Sequence, residues 1–198
     1  MQNIRDVLNR GNDLSTFVVH LTRDSTTASA NQNLRSIIEG RTLQARSPMG
    51  WAEGQDDPTD SSKQSQRVVS FSETPLEHIY SLVAAITGRQ INLKSYGLAF
   101  TKMAARRMGI NPVWYVDRTA GAPHNWRVSD AINELQAAAV AAGDFHSSPA
   151  VKVLPFFQVM GTWPQHQVEF WWEREWRHPS DLIFSLDQVA LWLCPVRT

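Results

Sequence analysis

The chain has one cysteine, Cys194, in 198 residues. That excludes an internal disulfide and any metal site built on several thiolates. Cys194 lies in an apolar run, where an inert core thiol is expected. The six histidines, at positions 20, 78, 124, 146, 166 and 178, show none of the paired spacings that zinc enzymes use, so no metal site is expected. There is no glycine-rich phosphate loop of either common type, and no Gly-x-Ser-x-Gly elbow. Excess charge is also missing, because 19 basic and 19 acidic residues cancel. This argues against a protein that holds a nucleic-acid backbone by bulk charge, while leaving room for a local basic groove. The amino terminus is polar and has no signal-like apolar region, and no run approaches the length that spans a bilayer. A soluble cytoplasmic protein with no membrane partner is the expectation.

A chain of this length can bury one substantial core, and a single domain over residues 1–198 is expected. Short β-rich runs recur along it. Phe17–Leu21, Leu43–Ala45, Val68–Ser72, Tyr96–Phe100, Pro112–Val116, Val151–Phe157, Leu182–Phe184 and Val189–Leu193 read as strands. Helices are predicted over Met1–Asn12, Asn31–Glu39, Leu76–Ile86, Thr101–Met108 and Val128–Ala142, with Gly11, Gly40, Gly88, Gly109 and Gly143 as stops. Thr74-Pro75-Leu76-Glu77 suits a capping box with proline in the first turn. Glu53 to Gln66 has no apolar side chain to bury, so a mobile surface loop within the domain is expected at about residues 52–67. Strands and helices do not alternate regularly, which favours an α+β fold with a mixed or mostly antiparallel sheet.

Glu169 to Arg177 is the densest stretch, with three of the eight tryptophans and three carboxylates in nine residues. Read as one extended strand, it puts Glu173 and Glu175 on a common face, roughly 7 Å apart at Cα. Two acids that close raise each other's pKa unless a base such as Arg177 offsets them. The pair fits a reaction centre beside large aromatics, or an edge strand whose acids face water. A hydrolytic arrangement would take His20 as base and Ser70 or Ser72 as nucleophile, although spacing alone does not reveal one. His20 also fits a satisfied histidine of the core.

Three pieces carry a resemblance. One is His20-Leu21-Thr22 with the Asn33–Gly40 helix; another is Val69–Leu76 followed by Tyr96–Phe100; the last is Glu173-Arg174-Glu175-Trp176-Arg177. Over residues 17–177 this series resembles the bacterial abortive-phage-resistance proteins of the AbiGi type. More distantly it resembles the DarT-type ADP-ribosyltransferases, which open with a similar His-x-Thr strand and Asn-Leu-x-x-Ile helix. The resemblance implies an ADP-ribosyltransferase-like split sheet, mixed or antiparallel, with flanking helices. It implies NAD as co-substrate, with His20 and Thr22 on its ribose side. Ser70 and Ser72 would line the nicotinamide site, and Phe71 or Tyr80 would stack there. Glu175 would be catalytic and Glu173 would orient the acceptor. A carboxylate beside the ribose would stabilise an oxocarbenium-like centre as nicotinamide leaves. An arginine for the NAD phosphates is not placed; Arg23, Arg46 and Arg67 are candidates. The implied function is an NAD-dependent ADP-ribosyltransferase of a phage-defence or toxin–antitoxin system. Its acceptor would be a protein or nucleic acid, and a cognate toxin or antitoxin would be a partner. AbiGi-type proteins carry the label antitoxin, so the alternative is a non-catalytic antitoxin or protein-binding module that retains the fold.

Overall fold

Phe17–Leu21 is apolar and mostly β-branched, and it forms the inner strand β1 of an antiparallel sheet. The computed structural model describes residues 15–51, 65–84, 91–121, 126–142 and 148–195. The helix expected at 1–12, most of the loop expected at 52–67, and the glycine stops at 88 and 143 lie outside these residues. The fold is α+β, with mixed antiparallel sheets and flanking helices; β2 (Thr42–Leu43) and β11 (Leu182–Ile183) make a two-stranded sheet of their own. The chain divides into two units. The first holds Met1–Leu43, Ser70–Gly109 and Ile183–Thr198; the second holds Gln44–Val69 and Ile110–Leu182. No helix among the described residues is long and apolar enough to cross a membrane.

In the first unit, β1 pairs antiparallel with β5 (Gly97–Thr101), and β5 pairs antiparallel with β12 (Val189–Leu193). On its other side β1 pairs with the end of β4 (Arg67–Ser72), with Val19 opposite Ser72. Helix α1 (Ala30–Gly40) starts at a Ser29/Gln32 capping box and ends on Arg41 in the left-handed conformation, not on Gly40. Helix α3 (Lys102–Arg107) is capped by the Thr101 hydroxyl, which accepts from the Ala104 amide.

The second unit holds the start of β4, which pairs with β3 (Ser47–Pro48), and the pair β6 (Asn111–Pro112) with β10 (Glu175–Pro179). A separate sheet joins β7 (Trp114–Asp117) in parallel to β8 (Phe157–Trp163), which pairs antiparallel with β9 (His166–Val168). A parallel pair needs a long crossover. Here it contains α4 (Trp126–Ala141) and α5 (Pro149–Val153). Val116, Ile132, Ala139, Val151 and Leu154 form the core between them, with Trp51 and Phe157 packed against it. The inward stripe of α4 is Ser129, Ile132, Gln136 and Ala139, while Leu135 and Val140 are exposed.

Three local expectations are corrected. Thr74 does not cap a helix, because Pro75 keeps an extended backbone (φ −50°, ψ 141°). A 3-10 turn follows at Leu76–His78, then a short helix α2 at Ile79–Val83. The Thr74 hydroxyl sits 3.2 Å from that of Ser72 instead. Residues 151–156 are helical, so the strand begins only at Phe157 and runs to Trp163. Cys194 is exposed, not a core thiol.

Gly97 of β5 sits opposite Leu21 of β1 and close against its backbone. A Cβ there would stand 2.2 Å from the backbone oxygen of His20. Backbone paired on both sides cannot yield cheaply, so Gly97→Ala is expected to cost about 2–3 kcal/mol. Denaturant melts of the two proteins check this; a neutral substitution would show that β1 and β5 can separate there without loss.

Candidate functional site

The residues singled out from the sequence fall into two groups. His20, Thr22, Ser70, Phe71, Ser72 and Tyr80 belong to the first unit, and Glu173 and Glu175 to the second. Pairing Val19 with Ser72 sets His20 opposite Phe71. Side chains directly opposite share a face, so His20 and Phe71 lie on one side of the sheet and Ser70 and Ser72 on the other.

On the first face, His20 continues a row of rings. Its centroid is 5.7 Å from Phe71; Phe71 is 6.0 Å from Phe100, and Phe100 is 5.6 Å from Phe184. The two phenylalanine pairs meet edge to face, a favoured aromatic geometry. His20 Nδ1 is 2.9 Å from the carbonyl oxygen of Ser70. A carbonyl only accepts, so Nδ1 carries the proton and the neutral ring keeps its lone pair on Nε2. Burial holds the His20 pKa below its ordinary value, and the hydrogen bond to Ser70 opposes this in part.

Thr22 is buried just past β1. Its hydroxyl lies 2.9 Å from the Ala30 carbonyl and 3.1 Å from that of Tyr96, and its amide donates to Tyr96 at 2.7 Å. It ties the start of α1 to the residues leading into β5. Tyr80 stands on α2 with 68% of its surface exposed, and its ring meets His78 edge-on at 6.2 Å. Glu73, which the sequence did not single out, pairs with Lys102 at 2.5 Å.

The acidic stretch is not one strand. Phe170–Glu173 makes a 3-10 turn, and Arg174 takes the left-handed conformation (φ 46°, ψ 57°) before β10 begins at Glu175. The two-residue alternation is broken between Glu173 and Glu175, so the expected common face is lost. Within β10, Glu175 and Arg177 share a face. Arg177 is wholly buried. Its Nε and Nη2 donate to the two carboxylate oxygens of Glu175 at 2.9 and 2.8 Å. Nη1 donates to the Pro155 carbonyl at 2.7 Å, and Nη2 also to the Gln158 side-chain oxygen at 2.6 Å. The Glu175 amide donates to the Tyr115 hydroxyl at 3.0 Å. Burial, the leading cause, pushes the Tyr115 pKa well up, so the phenol stays protonated. Both Glu175 oxygens are thus committed to a guanidinium.

Among the described residues no group of three or more histidines, cysteines or acids is placed to hold a metal ion. The model of a family described as "Putative abortive phage resistance protein AbiGi, antitoxin" matches residues 52–190. No curated protein and no solved structure matches the chain. The family match overturns the enzymatic expectation. An antitoxin family stands where an NAD-dependent ADP-ribosyltransferase was expected, and NAD as co-substrate and the transfer of ADP-ribose to an acceptor fall with it. Nothing in the comparisons supports the more distant likeness to DarT-type enzymes.

The His20 environment has a pH signature. In the unfolded chain His20 takes up a proton near its ordinary value of 6.5, and in the fold only at lower pH. The unfolded state therefore binds more protons in that window, and stability falls as pH drops from about 6.5 through the folded pKa. His20→Asn, which keeps a donor but does not titrate, is expected to show a shallower fall in melting temperature over that range. Parallel curves for the two proteins would contradict the placement of His20.

Proposed function

This chain belongs to the AbiGi family, and on that premise we propose that it is a non-catalytic antitoxin that neutralises a cognate toxin by binding it. The observation that carries the reading is the match to an antitoxin family over more than half of the chain. The chemistry of the singled-out side chains supports it. His20 and Thr22 spend hydrogen bonds on backbone carbonyls, and Glu175 spends both oxygens on Arg177. Such groups rigidify a scaffold: these bonds engage Nδ1 of His20, the Thr22 hydroxyl and both oxygens of Glu175. A scaffold of this kind is suited to offer a fixed surface to a protein partner, and rigid surfaces lose little entropy on binding.

The test is co-expression. Cells producing the toxin are expected to recover growth when this chain is produced with it, and the two proteins are expected to purify together. His20→Asn and Glu175→Gln should still neutralise in proportion to the folded protein they yield. Continued toxicity in the presence of abundant folded wild type would contradict the reading. Loss of protection in a fully folded variant would contradict the scaffold role of that residue.

A further inference from the structure

Gln136 interrupts the buried stripe of α4. Ile132 and Ala139, about one turn away on either side, lie in the core of the second unit. Gln136 is 3% exposed, and its Nε2 is shut off from solvent with no acceptor among the described residues. A buried donor left unmet is costly, and an apolar side chain of the same size would avoid the cost. Gln136 borders a cleft of about 560 Å³, in the size range of ligand sites, together with Asn133, Ala137, Val140 and Ala141. These residues recur every three or four positions, so they share the flank of α4 beside its buried stripe. The Asn133 side-chain oxygen already accepts from the Trp51 indole N–H at 2.7 Å. The rest of the described lining is alanine and valine, and Val140 is 54% exposed, so the cleft opens outward.

We propose that this cleft receives a segment of the toxin chain, with one of its main-chain carbonyls accepting from Gln136 Nε2 and an apolar side chain lying on Ala137, Val140 and Ala141. The inference rests on the antitoxin reading and names a face of the chain that such a reading requires. The chemistry of the occupant follows from the lining. The unmet donor calls for an acceptor, and every peptide group carries one. No charged side chain is among the described lining residues, so a carboxylate or phosphate would be desolvated there without a counter-charge. The short walls of Ala137 and Ala141 suit an apolar side chain. All five lining residues fall in the span matched by the antitoxin family.

The experiment is calorimetric titration of the cognate toxin into wild type and three variants, each with a melting curve. Gln136→Leu removes the donor and keeps the side chain's bulk. It is expected to melt no lower than wild type, yet to bind the toxin about tenfold or more weakly. Ala141→Lys, at an exposed position, crowds the cleft and is expected to weaken binding at least as much while staying folded. Leu135→Lys, exposed on the other flank of α4, is expected to bind like wild type. Wild-type affinity in Gln136→Leu or Ala141→Lys overturns the inference and leaves the antitoxin reading standing. A clearly lower melting temperature for Gln136→Leu overturns it too, because the amide would then be satisfied within the fold. So does weak binding by a folded Leu135→Lys. A wild type that does not bind the toxin overturns the antitoxin reading, and this inference with it.

Discussion

Arg177 has no exposed surface and carries a charge that must be met inside the protein. Moving such an ion out of water is costly, and only well-placed partners offset the cost. The second unit supplies a carboxylate with both oxygens, a main-chain carbonyl and a side-chain amide oxygen. These come from three places: β10 itself, the turn at Pro155, and β8 at Gln158. One buried guanidinium therefore sets the positions of three segments. Glu175 is the partner on the same strand, two residues away, where alternation puts it on the same face.

His20 does similar work in the first unit with a neutral ring. Its Nδ1–H bridges β1 to the main chain of β4, and its body extends the Phe71–Phe100–Phe184 row. Histidine and glutamate look like catalytic residues in a sequence because both can move protons. Here one is tied through Nδ1 to a carbonyl, and the other is tied to a guanidinium.

Much of the fold was legible. β1, α1, α3 and α4 follow from β-branched runs, helical spacing and caps, because each depends mainly on its own residues. Two further capping boxes, Ser29 with Gln32 and Ser185 with Gln188, were present in the sequence as Ser-x-x-Gln and went unread. Thr74-Pro75-Leu76-Glu77 misled because Pro75 is extended and a 3-10 turn at Leu76–His78 comes first, so the α-helix begins only at Ile79 and Thr74 lies outside it. Val151–Phe157 misled because a short apolar run fits a buried helix as well as a strand. The acidic stretch misled because Arg174 adopts a left-handed conformation uncommon outside glycine and asparagine, which residue type does not announce. The Glu175–Arg177 pair was visible as a spacing, but that Arg177 is buried, and so claims the carboxylate, depends on Pro155 and Gln158, about twenty residues upstream.

The claim that Glu175 holds the buried charge of Arg177 is tested most directly by a double-mutant cycle. Unfolding free energies would be measured for wild type, Glu175→Gln, Arg177→Met and the double variant. Removing either partner alone is expected to cost about 3–5 kcal/mol, because the other charge is left buried or stranded. Removing both should cost clearly less than the two single losses together, with a coupling of at least about 1 kcal/mol. Additive losses, or a Glu175→Gln protein as stable as wild type, would contradict the account.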